Sequence, residues 1–314
     1  MRLPDELMFL KNRKAVQKTT EVSMAGKTCV ITGATSGVGR AAAIRLASGG
    51  SHLVVVARNA EKATRLRDEL TAGYGVGVDL VIADFADLRD VRRAAAEVLA
   101  LTPRIDVLIN CAGMHSTTLT YTREGFETVF CVNHLASFLF TVLLVDRMKM
   151  SAPSRIIQVN SEGHRFNGLD PDDLGWTRRR YAGLKGYGAS KTAQLLTVWK
   201  LDEILRGTGV TINAMHPGDV LTNIGQNNGP LYRFFFRHVT SRFLKDPAIS
   251  GEALYYLSAA PEMARESGRF YHLTIVERPA RHALDRTVGE RIFAQSLALT
   301  GVSAPHGDPS SDGV

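Results

Sequence analysis

The sequence predicts a single α/β domain on a doubly wound parallel sheet, because short apolar runs alternate with helical patterns along most of the chain. The runs are Val30-Ile31, Leu53 to Val56, Leu80 to Ile82, Val107 to Ile109, Ile156 to Val159 and Val210 to Ile212. Strands apolar on consecutive residues are buried on both faces, which implies a parallel sheet covered by helices on each side. A seventh strand is expected within Gly268 to Leu273. The second observation is the turn Thr32-Gly33-Ala34-Thr35-Ser36-Gly37-Val38-Gly39, set between the strand Thr28 to Ile31 and an apolar-periodic helix over Ala41 to Leu46. The third is composition: 314 residues with 45% hydrophobic and 22% charged fit one sizeable core, and no linker or repeat divides them.

The domain is expected to span residues 25–301, after an N-terminal extension over 1–24 and before a disordered tail over 302–314 poor in residues to bury. The apolar run Leu7 to Leu10 is too short, and its flanks too basic, for a signal peptide or a membrane span, so the expected location is cytoplasmic. Cys29, Cys111 and Cys131 lie in apolar patterns without metal-ligand spacing and read as reduced core thiols. The net charge of +7 is spread among acids and carries no nucleic-acid motif. One stretch, Leu231 to Leu244, places Tyr232, Phe235, Phe236, Val239 and Phe243 at three- and four-residue steps with Arg233, Arg237 and Arg242 largely between them. A substrate lid, a fixed core helix and a membrane contact all fit that stripe.

Strand, glycine turn and helix in that order are the setting of a dinucleotide site, where backbone approaches a pyrophosphate at a helix N-terminus. Gly33, Ser36, Gly37, Val38 and Gly39 are the candidate contacts. The second strand ends Val56-Ala57-Arg58-Asn59, with no carboxylate for a ribose hydroxyl and an arginine suited to a 2′-phosphate, which selects NADP(H). Arg58 also fits a solvated helix start. Tyr187 and Lys191 are four apart and so share a helical face. A phenol titrating near ~10 needs a neighbouring cation to pass protons at neutral pH, and Lys191 is placed to supply it.

These segments together resemble the short-chain dehydrogenase/reductase family, whose glycine spacing is Gly-x-x-x-Gly-x-Gly and whose fold is the Rossmann type. The resemblance covers roughly residues 25–301. By it, Asp84 and Phe85 follow the third strand at the adenine site, with Asp87 capping the next helix. Asn110-Cys111-Ala112-Gly113 matches a motif that passes close to the cofactor through Asn110, Ala112 and Gly113. Asn133, Ser161, Tyr187 and Lys191 match the catalytic tetrad, Lys191 also binding the nicotinamide ribose. His216 to Thr222 matches the loop over the nicotinamide, with Pro217, Gly218, Val220 and Thr222 as contacts. Tyr181 and Lys185 repeat the tyrosine-lysine spacing, but the family places Pro-Gly about 30 residues after its tyrosine, and Pro217 is 30 beyond Tyr187. His134 and His164 read as structural.

The long segment between Ser161 and Tyr187 and the C-terminal part from Arg269 to Gly301 resemble the retinol-dehydrogenase-like branch. That branch implies a lid-like insertion before the C-terminal helices and a bulky apolar carbonyl or alcohol substrate: aromatic polyketide, steroid-like or retinoid-like. The reading is an NADP(H)-dependent ketoreductase with no metal and no nucleic-acid partner. The alternative is an NADP(H)-binding sensor or scaffold without turnover. A homo-oligomer and a weak membrane-surface contact are compatible with either.

Overall fold

The computed structural model describes residues 15–218 and 246–307. Val220, Thr222 and the stretch Leu231 to Leu244 lie outside the described residues, as do the first fourteen residues and the end of the tail.

The chain runs β1 (Thr28–Thr32), α1 (Gly37–Ser48), β2 (His52–Ala57), α2 (Ala60–Tyr74), β3 (Val78–Ile82), α3 (Leu88–Leu101) and β4 (Val107–Asn110). It continues with α4 (Thr128–Met150), β5 (Ser154–Val159), α5 (Gly183–Leu205), β6 (Val210–His216), α6 (Ala248–Ala259), β7 (Phe270–His272), β8 (Ile275–Val276) and α7 (Arg286–Thr300). The strands lie in the order β3-β2-β1-β4-β5-β6-β7-β8. All neighbours pair in parallel except β8, which returns antiparallel on β7. The order reverses between β1 and β4, and a sheet of this kind binds its ligand beyond the C-terminal strand ends at such a switch.

Consecutive apolar residues feed two cores. Val30, Val54, Leu108, Ile156 and Ile212 point into the layer with α3, α4, α5 and α7. Ile31, Val55, Ile109 and Ile157, each one residue on, and Met215 in β6 point into the layer with α1, α2 and α6. Each such fully buried side chain contributes about 1.5–3 kcal/mol relative to exposure. α4 is long and apolar enough to cross a membrane by composition, yet 83% of that stretch is buried inside the protein, so here it is a core helix.

Local signals set the ends. Asn59 accepts from the Lys62 amide to cap α2, Asp87 accepts from the Arg89 amide to cap α3 as expected, and Asp285 accepts from the Val288 amide to cap α7. The thiols of Cys29 and Cys111 are pushed up to about 12 by burial, and all three cysteines are free, in keeping with reduced core thiols. Residues 15–24 pack along the domain, with Tyr255 donating to the Val22 carbonyl (2.6 Å) and the Lys18 amide donating to Thr274 (2.8 Å). In the described part of the tail, the His306 carbonyl accepts from Lys149 (2.6 Å).

Two features carry no clear mark in the sequence. β8 was not readable, because two residues of strand give no period. α5 begins at Gly183, within a Gly- and Arg-rich stretch and without a side-chain cap to announce it.

Candidate active site

The β1–α1 turn forms an anion cradle. Ser36 precedes α1 but makes no side-chain cap bond, and the first turn carries no acidic residue, so its amides are left to a ligand. A side chain at Gly39 would collide with the Gly33 carbonyl, so only glycine lets the turn fold this tightly. The Thr32 hydroxyl accepts from the amides of Cys111 and Ala112 (both 3.0 Å), which locks the end of β1 to the segment after β4. Val38 is buried under the turn and Gly113 is exposed beside it. Asn110 is buried and donates to Thr141 (2.7 Å), so its side chain fastens β4 to α4.

Arg58 is exposed at the end of β2 and makes no ion pair among the described residues. Asn59 beside it is committed to capping α2. Asp84 is exposed after β3 and accepts from the Ala86 amide (3.0 Å), whereas Phe85 is buried against Phe140. Pro217 and Gly218 follow β6 at the same edge of the sheet, where the Pro217 carbonyl accepts from Ser250 (2.6 Å).

Four side chains converge beyond β4 and β5. Asn133 lies in a π-helical turn of α4, Cys131–Leu135. Such a turn displaces backbone from the regular ladder. The Asn133 carbonyl accepts from Gln194 (2.5 Å) and Ser137 (2.7 Å). Its side chain clamps the Met114 backbone, accepting from the amide (2.7 Å) and donating to the carbonyl (2.9 Å), and also donates to Ser190 (2.9 Å). Ser161 ends β5 and both readings of it coexist: its hydroxyl accepts from the Gly163 amide (3.0 Å) and also bonds the Tyr187 phenol. Lys191 is buried, donates to the Val159 carbonyl (3.0 Å) and sits 5.7 Å from the Tyr187 ring centre. His164 fixes Ser161 from behind. Its Nε2 accepts from the Ala280 amide (3.1 Å), so Nδ1 carries the proton given to the Ser161 carbonyl (2.7 Å).

Burial dominates the electrostatics of the pair. The Tyr187 phenol is pushed up to about 12, chiefly by desolvation, against the lowering effect of the Ser161 hydrogen bond. Lys191 is lowered to about 8 by the same loss of water. The lysine was expected to pull the phenol down; desolvation dominates instead, and Tyr187 is held as a proton donor. Tyr181 lies elsewhere, its phenol against the Ser116 carbonyl (3.3 Å) and the Glu127 carboxylate (3.4 Å), and burial beside that acid raises it.

Sequence reasoning missed His115, which is buried and stands edge-on to Tyr187 with ring centres 5.6 Å apart. No motif spacing marks it. Gly163 was also missed, though a Cβ there would lie 2.6 Å from Tyr187 Cδ1. Gly163→Ala is therefore expected to displace the Tyr187 ring and lower kcat about tenfold or more, with KM for cofactor little changed. Steady-state kinetics checks this; unchanged kcat would mean that the ring is free to shift.

His134 is a core histidine: its Nε2 meets Ser296 (2.8 Å), it packs between Phe130 and Phe138, and burial lowers it to about 3.

Comparison with known proteins places these features. The short chain dehydrogenase family pattern matches residues 27–231. Retinol dehydrogenase 13 of Homo sapiens is 36% identical over 91% of this chain and 88% of its own length. A Streptomyces protein whose name describes a daunorubicin C-13 ketoreductase is 35% identical over 91% of this chain and 96% of its own. A crystal structure of an uncharacterised Mycobacterium paratuberculosis protein superposes with a TM-score of 0.75 at 26% identity, covering 92% of this chain and all of that one.

Proposed function

The chain belongs to the short-chain dehydrogenase family, in its retinol-dehydrogenase-like branch, and from that membership we propose that it reduces a bulky apolar ketone or aldehyde with NADPH. The coarser part follows from the family: an oxidoreductase that interconverts a carbonyl and an alcohol with a nicotinamide cofactor. The observation that carries the proposal is the meeting of Tyr187, Lys191, Ser161 and Asn133 at the sheet edge, next to a glycine cradle with open amides.

The residues present fit the dinucleotide. The α1 N-terminus offers donors without a competing acid, and Gly39 leaves the turn no side chain to obstruct a pyrophosphate. Gly33, Ser36, Gly37 and Val38 complete the turn, while Asp84, Phe85, Asn110, Ala112, Gly113, Pro217 and Gly218 line the strand ends that a dinucleotide would follow. NADPH, when bound, supplies the hydride. Tyr187, held protonated by burial, gives its phenolic proton to the substrate oxygen as negative charge develops there. Ser161, anchored by the Gly163 amide and backed by His164, points its hydroxyl at the same oxygen. Lys191 stands behind the phenol to stabilise the tyrosinate left after transfer. Asn133 holds the Met114 backbone and bonds Ser190 on the helix that carries Tyr187 and Lys191.

The arginine at the end of β2 supports the phosphorylated cofactor: Arg58 is exposed and pairs with no carboxylate among the described residues. Arg58→Ala is expected to raise Kd for NADPH about 10- to 100-fold while changing that for NADH less than about threefold, since only the former presents a 2′-phosphate. Fluorescence titration with both cofactors measures it. Equal losses, or a wild type that prefers NADH, would overturn the cofactor assignment. A bulky apolar substrate is supported by the two relatives named for retinol and daunorubicin and by the aromatic content of residues 231–244.

A further inference from the structure

Next to Ser161 and Pro217 in the chain lies a largely buried cluster that the proposed reaction does not use. Glu162, His216 and His272 come from three elements: the short helix Glu162–Phe166 after β5, the end of β6, and the end of β7. β6 and β7 pair with His216 directly opposite His272, and the two rings meet edge-on with centres 4.9 Å apart. One ligand atom from each of the three residues lies within 4.8 Å of the others.

Atoms of Glu162 and His216 have no hydrogen-bond partner among the described residues. His216 is only 4% exposed, yet among the described residues neither of its ring nitrogens finds a hydrogen-bond partner, and neither does the Glu162 Oε1. Leaving such groups buried and unpaired costs roughly 1–3 kcal/mol each, so an occupant that satisfies them is favoured.

The surroundings specify that occupant's charge. Arg165 pairs with the other oxygen of Glu162, Oε2, and reaches Glu277 Oε1 (2.6 Å). Two carboxylates share one guanidinium beside two imidazoles, a set of carboxylate oxygens and ring nitrogens that suits a divalent cation. Glu277 Oε2 lies 3.7 Å from His272 Nδ1, within ion-pair range of the imidazole though beyond a hydrogen bond.

We propose that Glu162, His216 and His272 form a binding site for a borderline divalent cation of the zinc type, held by two imidazoles and one carboxylate with a fourth position left to water. Tetrahedral bonds of about 2.0–2.1 Å put ligand atoms roughly 3.4 Å apart, so the three groups close by about an ångström on binding. Such an ion ties the ends of β5, β6 and β7 together, directly beneath Ser161 and Pro217. Its ligands stand far apart in the chain, which is why no metal-binding spacing marks them in the sequence.

The test titrates untagged full-length protein, stripped by chelator, with Co²⁺ and reads the visible d–d bands, with Zn²⁺ as competitor. About one equivalent of Co²⁺ is expected to bind at micromolar concentration with intense tetrahedral bands, to be displaced by Zn²⁺, and to raise Tm. Glu162→Gln and His272→Gln should each weaken binding at least about tenfold and abolish the Tm rise, while His52→Gln, outside the cluster, keeps both. Folding of each variant is confirmed by its thermal transition, and the wild-type titration stands independently of the variants. Substoichiometric uptake by the wild type, or bands that survive both ligand substitutions, would overturn the site.

Discussion

Tyr187→Phe is expected to lower kcat about 10²- to 10⁴-fold while leaving NADPH affinity within about threefold, because it removes the proton donor and keeps the ring. The phenol is the group in this edge held protonated by burial, with Ser161 bonded to it and Lys191 behind it. Tyr181→Phe is the control: its hydroxyl contacts the Ser116 carbonyl and Glu127, away from that cluster, and its loss should cost kcat less than about threefold. Single-turnover kinetics with pre-bound NADPH isolates the chemical step. Reversed effects in the two variants would assign the chemistry to the other tyrosine.

Lys191→Met should abolish turnover and yet stabilise the cofactor-free fold. The folded protein lowers Lys191 from its ordinary 10.5 to about 8 by desolvation, so keeping this lysine charged at neutral pH costs on the order of 3 kcal/mol. Losing its hydrogen bond to the Val159 carbonyl returns about 1 kcal/mol of that, which leaves a net gain of about 2 kcal/mol. The sign with pH follows from proton binding. Between pH 8 and 10.5 the unfolded chain holds a proton that the folded chain has released, so wild-type stability rises across that window. The variant's advantage is therefore full below pH 8 and fades by pH 10.5. Urea unfolding of both proteins at the two ends checks this. A variant less stable than wild type at pH 7 would mean that the ammonium is well solvated or paired.

What was legible in the sequence was what repeats locally. Six of the strands are continuous apolar runs, and the cradle is a glycine spacing after one of them, so strand, turn and helix are written within a dozen residues. The pair Tyr187 and Lys191 was visible because helical geometry ties residues four apart. Contacts made only by the folded sheet left no such mark. His216 meets His272 through the β6–β7 register across more than fifty residues, and His115 reaches Tyr187 from the loop after β4. Side-chain commitments were equally hidden. Asn59 caps α2, and Asn133 spends its amide on the Met114 backbone, assignments that need the partner's position rather than the residue's type. The balance between Lys191 and Tyr187 could not be read either, because burial sets it and burial belongs to the whole fold.

The central claim is that this edge moves a hydride and a proton to an apolar carbonyl, and transfer of an isotopic label tests it most directly. The protein would be incubated with NADPH deuterated at the transferable C4 position and a panel of aromatic, steroid-like and retinoid-like carbonyls, with products read by mass spectrometry. At least one alcohol carrying a single deuterium on its carbinol carbon is predicted, formed with an equal amount of NADP⁺ and absent with Tyr187→Phe. Tight NADPH binding with no label passing to any carbonyl would contradict the account and leave a protein that holds the cofactor without turning it over.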